Sequence, residues 1–289
     1  MEIQVPASSA NLGPGFDSIG IAVSLYLHLQ DLGPSNRWRV DHDLGSLPHN
    51  QQNMIVQTAL KLSPDLAPRH LKVVSDIPVT HGLGSSSSAI VAGIELANQF
   101  ANLNLSAEEK VEIASQIEGH PDNVAPAILG GLVVGTNIGD HFDAVAAPLP
   151  PYDLVAYIPE YNLATKKARA VLPNQLDYHQ STHASAIANT LVAALFKKDY
   201  SVAGELIEAD EFHEQYRSSL VPELAKIRQI GHANGAVATY LSGAGPTVMT
   251  IINPEKTTTF INVVRQAKLN DRIEVLHPDP DGVVIKPEP

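Results

Sequence analysis

The sequence predicts an α+β fold in two domains, and three observations support this. Strand and helix patterns are mixed along the 289 residues, and several helical segments connect successive strands. Prolines at positions 148, 150 and 151 interrupt any regular element, and the residue pattern changes after them. No internal repeat occurs at the periods typical of solenoids. We therefore expect one domain over residues 1–150 and a second over residues 151–289.

The first half combines short strand signals with three helices. Apolar and polar residues alternate between Leu71 and Ile77, which indicates a half-buried strand. Helical spacing of apolar residues predicts helices over residues 52–62, 86–102 and 107–118. Ser106 and Glu109 form a capping-box pattern that marks the start of the third helix.

The second half also alternates strands with helices. Strands are predicted over residues 154–158, 236–241, 247–252 and 273–276. Helices are predicted over residues 221–233 and 255–268, and two amphipathic stretches fall within residues 182–215. The segment from Ser242 to Pro246 contains two glycines and should join the second and third of these strands.

A glycine- and serine-rich segment from Pro78 to Ala89 is the most informative part of the chain. It joins Gly82, Gly84 and four serines to the start of an apolar helix. Glycine permits the backbone angles that aim successive N–H groups inward, and a helix N-terminus carries roughly half a positive charge. We therefore expect a polyphosphate site here. The alternative is a serine-rich linker before an ordinary capped helix.

The commoner nucleotide-binding motifs are absent. No glycine in the chain is followed by lysine, so there is no P-loop of the type G-x-x-x-x-G-K-[ST]. Three Gly-x-Gly pairs occur, and none continues to the dinucleotide pattern G-x-G-x-x-G.

Composition excludes several classes of function. A formal net charge of −12 repels nucleic acid and anionic membranes, so we expect neither as a partner. Zero cysteines exclude disulfides and thiolate chemistry, and with no export signal or apolar span evident we expect a cytoplasmic protein. The pair His179 and His183 has Gln180 where a zinc protease helix carries glutamate, so a zinc site is not expected.

Two further clusters accompany the glycine–serine segment. Residues 5–17 (VPASSANLGPGFD) place an amide, a carboxylate and two glycines in one short stretch, and residues 242–247 read SGAGPT. Taken alone, Asn11 and Asp17 are turn residues, and the second cluster is a β-turn.

Together the three clusters resemble the GHMP kinases, named for galactokinase, homoserine kinase, mevalonate kinase and phosphomevalonate kinase. The motifs occur in this order and at comparable spacing across nearly the whole chain. Residues 6–17 (PASSANLGPGFD) and 120–127 (HPDNVAPA), followed by two glycines, look like the homoserine kinase branch. Other members commonly carry Lys or Arg where this chain has Ser8, which argues against mevalonate-type kinases.

The resemblance implies an N-terminal domain like the second domain of ribosomal protein S5 and a ferredoxin-like C-terminal domain, with ATP and substrate in the cleft between them. It implies ATP and Mg²⁺ as cofactors, L-homoserine as the phosphoryl acceptor, and a homodimer. The ATP-contacting residues would be Asn53, near the adenine, and Pro78, Gly82, Leu83, Gly84, Ser85, Ser86, Ser87 and Ser88. For Mg²⁺, which prefers hard oxygens, the resemblance favours Ser86 and Glu112. Glu112 on a solvated helix face is the alternative.

The implied substrate site holds an amino acid. Asp17 and Asn11 would bind its ammonium group, and Arg169 and Arg217 its carboxylate, since a guanidinium donates two parallel hydrogen bonds. The resemblance adds His120 and Gly243 as substrate contacts.

The implied catalytic residues do not include a clear general base. Asn123 would orient the attacking hydroxyl of the substrate. The proton of that hydroxyl could pass to the phosphate, with Asp122 as a rival base. Two other functions stay open: another GHMP small-molecule kinase, such as a mevalonate-type enzyme, and a non-catalytic nucleotide-binding protein. A structural or interaction role is a further alternative, but it leaves the three glycine motifs unexplained.

Overall fold

A computed structural model describes residues 1–286. Its strands are β1 (Glu2–Ala10), β2 (Ile19–Pro34), β3 (Arg39–Asp41), β4 (Arg69–Ser75), β5 (Leu132–Ile138), β6 (His141–Ala147), β7 (Asp153–Ile158), β8 (Ala238–Leu241), β9 (Val248–Ile252), β10 (Arg272–Leu276) and β11 (Val284–Lys286). Its helices are α1 (Met54–Leu62), α2 (Ser85–Phe100), α3 (Ala107–Glu118), α4 (Val124–Leu129), α5 (Thr165–Ala170), α6 (Tyr178–Lys197), α7 (Tyr200–Ile207), α8 (Glu214–Arg217), α9 (Glu223–Ala233) and α10 (Pro254–Gln266).

The first sheet has the order β11-β1-β2-β4-β3, and β5 pairs with both β2 and β6. All of these pairs are antiparallel except β3 with β4. Strand β2 is 16 residues long because its far end pairs with β4 while its first residues pair with β5. Helix α2 packs on β1 and contacts α1, α3 and α4, so the start of α2 lies beside the end of β1. This arrangement brings the two N-terminal motifs together.

The second sheet has the order β10-β7-β9-β8 and is antiparallel throughout. In chain order its strands follow the ferredoxin-like pattern, with helices between β7 and β8 and α10 between β9 and β10. Successive residues of a strand face opposite sides, so Val155 and Tyr157 join one core with Phe260 of α10. Leu154 and Ala156 face the other side and belong to the large core shared with the first sheet.

The predicted two-domain α+β fold is confirmed, and one segment crosses the expected division. β6 ends at Ala147 and β7 begins at Asp153, with the three prolines between them. β11 then returns to the first sheet and pairs with β1. A domain limit at residue 150 therefore remains a prediction, because the last strand of the chain lies on the other side of it.

Most of the predicted helices and strands are present within a few residues. The capping box is formed: the Ser106 hydroxyl accepts the Glu109 N–H at 3.2 Å, and the Glu109 carboxylate accepts the Ser106 N–H at 2.8 Å. Along residues 1–286, no helix has both the length and the apolarity needed to cross a membrane.

Candidate active site

The glycine–serine segment forms a tight bend that ends in helix α2. Gly82 and Gly84 have φ values of +76° and +69°, and Gly84 is the N-cap of α2. A Cβ on Gly84 would lie 2.2 Å from the Ser8 hydroxyl, and one on Gly82 would lie 2.2 Å from the Ser242 carbonyl oxygen. Only glycine fits at either position. No side chain caps α2, so its first N–H groups are open to an anion.

The other two motifs hold this bend in place. The Ser8 N–H donates to the Leu83 carbonyl at 3.3 Å, and the Ser242 hydroxyl donates to the Gly82 carbonyl at 2.6 Å. The Thr247 N–H donates to the carbonyl of residue 81 at 3.3 Å. The three segments therefore form one connected loop structure, which explains why they occur together in the sequence.

The four serines of the bend have different surroundings. Ser85, Ser86 and Ser87 line a cleft of about 620 Å³. Ser88 does not, because its hydroxyl donates to the Ser85 carbonyl at 3.1 Å and its N–H bonds the Gly84 carbonyl at 2.8 Å. Both donors of Ser88 are therefore used inside the helix, and its expected contact with phosphate stays a prediction.

Two other predicted phosphate residues do not line the cleft. The Leu83 side chain is 1% exposed and belongs to the large core, so only its backbone is near the bend surface. Pro78 is half-buried and lines neither this cleft nor the cavity beside it. Their expected contacts with ATP stay predictions.

Glu112, the predicted metal ligand, faces away from the cleft. Its carboxylate accepts the Phe142 N–H at 2.8 Å and a Gln116 hydrogen bond at 2.7 Å, and it lies 2.9 Å from His141 Nδ1. The Phe142 N–H, above all, lowers the pKa of Glu112. The structure does not bring Glu112 to Ser86, because this face of α3 packs against the hairpin of β5 and β6.

Glu118, at the end of α3, is the carboxylate that does reach the cleft. Its Oε1 accepts the Ser87 hydroxyl at 3.4 Å, and it forms no ion pair with any of the described residues. Burial raises the pKa of Glu118 because its charge is poorly solvated. Hard oxygens of this kind, beside the uncapped N-terminus of α2, are the ligands that Mg²⁺ prefers. Sequence reasoning missed Glu118, although it lies two residues before residues 120–127 (HPDNVAPA), hereafter the second motif.

The same cleft carries two guanidinium groups around an aromatic ring. Arg169 of α5 donates to both carboxylate oxygens of Asp17, at 2.6 and 3.1 Å. Arg217 is 1% exposed, and its fixed bonds run to the carbonyls of Ala168 and Gly243, at 3.1 and 3.0 Å. The Phe16 ring centre lies 5.4 Å from the Cζ of each arginine. Two cations side by side suit an anionic group, and both arginines line the cleft.

The Arg217 guanidinium remains charged despite its burial. Desolvation, with the nearby positive charge of Arg169, lowers the pKa of Arg217 to about 10. Among the described residues its Nη2 makes no hydrogen bond, so this nitrogen is the donor available to a ligand in the cleft.

Asn11 shapes the loop that carries Asp17. Its backbone has φ +76°, its Nδ2 donates to the Gly243 carbonyl at 3.0 Å, and its Oδ1 accepts the Asp17 N–H at 3.2 Å. Both ends of the amide are therefore used within the protein. The structure favours a loop-shaping role over the expected contact with a substrate ammonium group.

The second motif places His120, Asp122 and Asn123 on one wall of the cleft. His120 Nδ1 forms a short hydrogen bond to Asp122, and the Asn123 side-chain oxygen accepts the Ser8 hydroxyl at 2.9 Å. Burial alone would lower the pKa of His120, but the hydrogen bond and charge of Asp122 outweigh it and raise that pKa. The cationic form of His120 is therefore favoured relative to a free imidazole.

A second possible cation site is formed by Asp17, His120 and Asp122. Each of these residues has one potential ligand atom within 4.8 Å of those of the other two. Asp17 is already paired with Arg169, and Asp122 with His120. We therefore regard Glu118 with the serine hydroxyls as the better cation site.

An apolar cavity of about 1090 Å³ lies on the other side of the bend. It shares Thr80, Ser85, Ser86 and Thr165 with the first cleft. Its walls include Leu44, Leu47, Met54, Ile77, Val79 and Asn53. The Asn53 side chain caps α1 through the Ile55 N–H at 3.0 Å and donates to the Pro48 carbonyl at 2.9 Å, so it fixes the wall. The two cavities meet at the serines of the bend, as a base pocket and a transfer site would.

Comparisons with known proteins find two family domains in this chain. The GHMP kinases N terminal domain matches residues 53–131, and the GHMP kinases C terminal domain matches residues 191–269. The first range contains the bend and the second motif.

Full-length relatives are also similar. Homoserine kinase of Lactobacillus acidophilus is 61% identical over 285 residues, covering 99% of this chain and 99% of the relative. Homoserine kinase of Limosilactobacillus fermentum is 62% identical over 285 residues, covering 99% of this chain and 100% of the relative. The crystal structure of homoserine kinase from Cytophaga hutchinsonii has a TM-score of 0.86 at 26% identity, covering 98% of this chain and 96% of that one.

Proposed function

The chain belongs to the GHMP kinase family and, within it, to the homoserine kinases, and we propose that it transfers the γ-phosphoryl group of ATP to the side-chain hydroxyl of L-homoserine. The products are O-phospho-L-homoserine and ADP, and the reaction belongs to threonine biosynthesis in the cytoplasm. The observation that carries the proposal is one cleft lined both by the uncapped N-terminus of α2 and by two guanidinium groups.

ATP binds with its base in the apolar cavity and its phosphates at the bend. The cavity and the cleft meet at Ser85 and Ser86, so a nucleotide can occupy both at once. The open N–H groups of the first turn of α2 and the helix dipole neutralise the phosphates without a lysine. This resolves the difficulty that a chain of net charge −12 presents for an anionic ligand.

Glu118 and the hydroxyls of Ser86 and Ser87 would hold Mg²⁺. The support is the half-buried carboxylate without a cation partner among the described residues, next to the serines of the bend. When bound, the ion neutralises charge on the phosphates, as in other phosphoryl-transfer sites.

L-homoserine lies between the guanidinium groups and the second motif. Its carboxylate receives hydrogen bonds from Arg169 and from the Nη2 of Arg217, and its ammonium group pairs with Asp17. Asp17 and Arg169 pair with each other in the structure, so on binding each would exchange its partner for one end of the zwitterion. This geometry favours a substrate with both charges.

Proton transfer needs no strong base in this site. Asn123 orients the hydroxyl, and positioning with charge neutralisation supplies most of the rate enhancement in phosphoryl transfer. His120 lies on the cleft wall, where the hydrogen bond and charge of Asp122 raise its pKa and favour its cationic form. The hydroxyl proton passes to the phosphate, with Asp122 as the alternative acceptor.

A coupled ADP-release assay over several acceptors tests this proposal. L-homoserine should give the highest kcat/KM, at least about 10-fold above L-serine, which is one methylene shorter. Mevalonate and galactose should give no acceptor-dependent ADP. Preference for either would keep the fold and overturn the substrate, and ATP binding without homoserine-dependent ADP release would indicate a non-catalytic protein.

A further inference from the structure

His213 is a fully buried histidine that the reaction outlined above does not use. It is 0% exposed and lies at the start of α8, where the Asp210 carboxylate accepts the N–H groups of Phe212, His213 and Glu214 at 2.8, 2.9 and 2.7 Å. The Glu214 carboxylate in turn accepts the N–H of residue 241 at 2.6 Å. The backbone around His213 is thus anchored on both sides, and its ring has a fixed direction.

The two ring nitrogens of His213 join two parts of the site that are far apart in sequence. Nδ1 lies 3.1 Å from Arg217 Nη1, and Nε2 lies 3.0 Å from the carbonyl oxygen of Gly13. A guanidinium can only donate, so Nδ1 must be the acceptor, and the proton therefore sits on Nε2 and is donated to Gly13. Only the neutral ring with this tautomer satisfies both contacts.

The surroundings keep His213 neutral. Burial lowers its pKa to about 4, with the Arg217 charge acting in the same direction and Asp210 opposing it. Asp210 Oδ2 lies 3.6 Å from Nε2, and Asp17 is the other carboxylate that acts on the ring. Phe16 stacks on the imidazole at 5.3 Å between ring centres.

Gly13 belongs to the loop that carries Asp17, and this loop fits tightly. A Cβ on Gly13 would lie 1.8 Å from the Ile207 carbonyl oxygen, so the loop backbone presses on the end of α7. His213 therefore connects the loop that holds the ammonium group with the arginine that faces the carboxylate.

We propose that His213 is a positioning residue, which orients Arg217 toward the substrate carboxylate. It does so by accepting a hydrogen bond from the Arg217 guanidinium while donating one to the Gly13 carbonyl. This inference rests on the proposed function, because it acts through the Arg217–carboxylate contact. It assigns His213 no contact with either substrate. A residue of this kind should affect the binding of the amino acid more than the chemical step or the binding of ATP.

Two isosteric substitutions separate the two hydrogen bonds. In His213→Asn, the side-chain oxygen falls near the position of Nδ1 and still accepts from Arg217. In His213→Gln, the amide nitrogen falls near the position of Nε2 and still donates to Gly13, but the acceptor facing Arg217 is lost. His213→Phe keeps the ring and its stack on Phe16 and removes both bonds.

The measurement is steady-state ADP release as a function of L-homoserine and of ATP, with thermal unfolding of each variant as a check on folding. We expect the homoserine KM of His213→Gln and His213→Phe to rise about 10-fold or more, which corresponds to one hydrogen bond to a charged group. His213→Asn should stay within about 3-fold of wild type, and kcat and the ATP KM should change little in all variants.

A purely structural role would give a different pattern. Fewer folded molecules would lower the apparent kcat of every variant and leave the homoserine KM unchanged, and that result would overturn the proposal. Equal homoserine KM values for the Asn and Gln variants would overturn it as well, even if the Phe variant does not fold. Wild-type protein without homoserine-dependent ADP release would instead show that the proposed function has failed.

Discussion

Replacing Arg169 by lysine should abolish most homoserine turnover while leaving the fold intact. The Arg169 and Asp17 side chains are 38% and 34% exposed, so their ion pair contributes only about 0–1 kcal/mol to the free energy of unfolding. In the proposed complex the same guanidinium makes two parallel hydrogen bonds to the substrate carboxylate, and lysine can supply only one point charge. Loss of such a contact costs roughly 2–5 kcal/mol.

That free energy converts to a fall in kcat/KM for homoserine of about 30-fold to about 4000-fold. The assay is coupled ADP release at saturating ATP, with the midpoint of thermal unfolding measured on the same preparations. Arg272→Lys is the matched control, because Arg272 pairs with Glu274 on β10, is 44% exposed and lies outside the cleft. If Arg169→Lys keeps a kcat/KM within about 3-fold of the control, Arg169 does not hold the carboxylate and the substrate pose is wrong.

Three further results are expected. Glu118→Gln should raise the Mg²⁺ concentration needed for half-maximal activity by at least about 10-fold, whereas Glu112→Gln, on the same helix but outside the cleft, should not change it; the reverse outcome would restore the ligand expected from sequence. Gly84→Ala should weaken ATP binding, measured by calorimetry, far more than Gly139→Ala, because both glycines have positive φ but only Gly84 lacks space for a Cβ. Equal effects of the two substitutions would mean that backbone strain, and not the close packing around Gly84, causes the loss. The free energy of unfolding in urea should fall as pH drops from about 6.5 toward 4. The reason is that the histidine of the unfolded chain binds a proton in this range, whereas buried His213, with its pKa lowered to about 4, does not. His213→Asn should flatten this pH dependence, and an unchanged slope in that variant would contradict the burial argument.

The local parts of this structure could be predicted from the sequence. The capping box at Ser106 and Glu109 involves residues three positions apart, and the bend from Gly82 to Gly84 is set by its own φ values and by the helix that follows. The family resemblance also predicted the ferredoxin-like domain. The glycine-rich turn at residues 242–246 predicted the pairing of β8 with β9.

The parts that depend on distant residues could not be predicted in the same way. Glu112 turns away from the cleft because a hairpin formed by β5 and β6 packs on its face of α3, and the sequence gives no sign of which helix face that hairpin covers. His213 contacts Gly13 across 200 positions of the chain, a pairing that no local pattern encodes. Ser88 looks like its three neighbours in sequence, and only the helical geometry shows that both of its donors are consumed.

The cleft itself illustrates how the two kinds of information combine. Each motif taken alone is a turn, and the three become a site only because Ser8, Leu83, Gly82 and Ser242 bond to one another between segments. Those bonds fix the bend, so the N–H groups at the start of α2 would need little reorganisation to receive the phosphates of the proposed complex. Substitutions in one motif should therefore disturb ligands that contact another.

The most direct test of this account is a crystal structure of the protein with L-homoserine and a non-hydrolysable ATP analogue. We predict that the phosphates will lie against the N–H groups that follow Gly84, with the homoserine carboxylate within hydrogen-bond distance of both Arg169 and Arg217. A triphosphate bound elsewhere while those N–H groups face solvent, or an amino acid remote from both guanidinium groups, would contradict it.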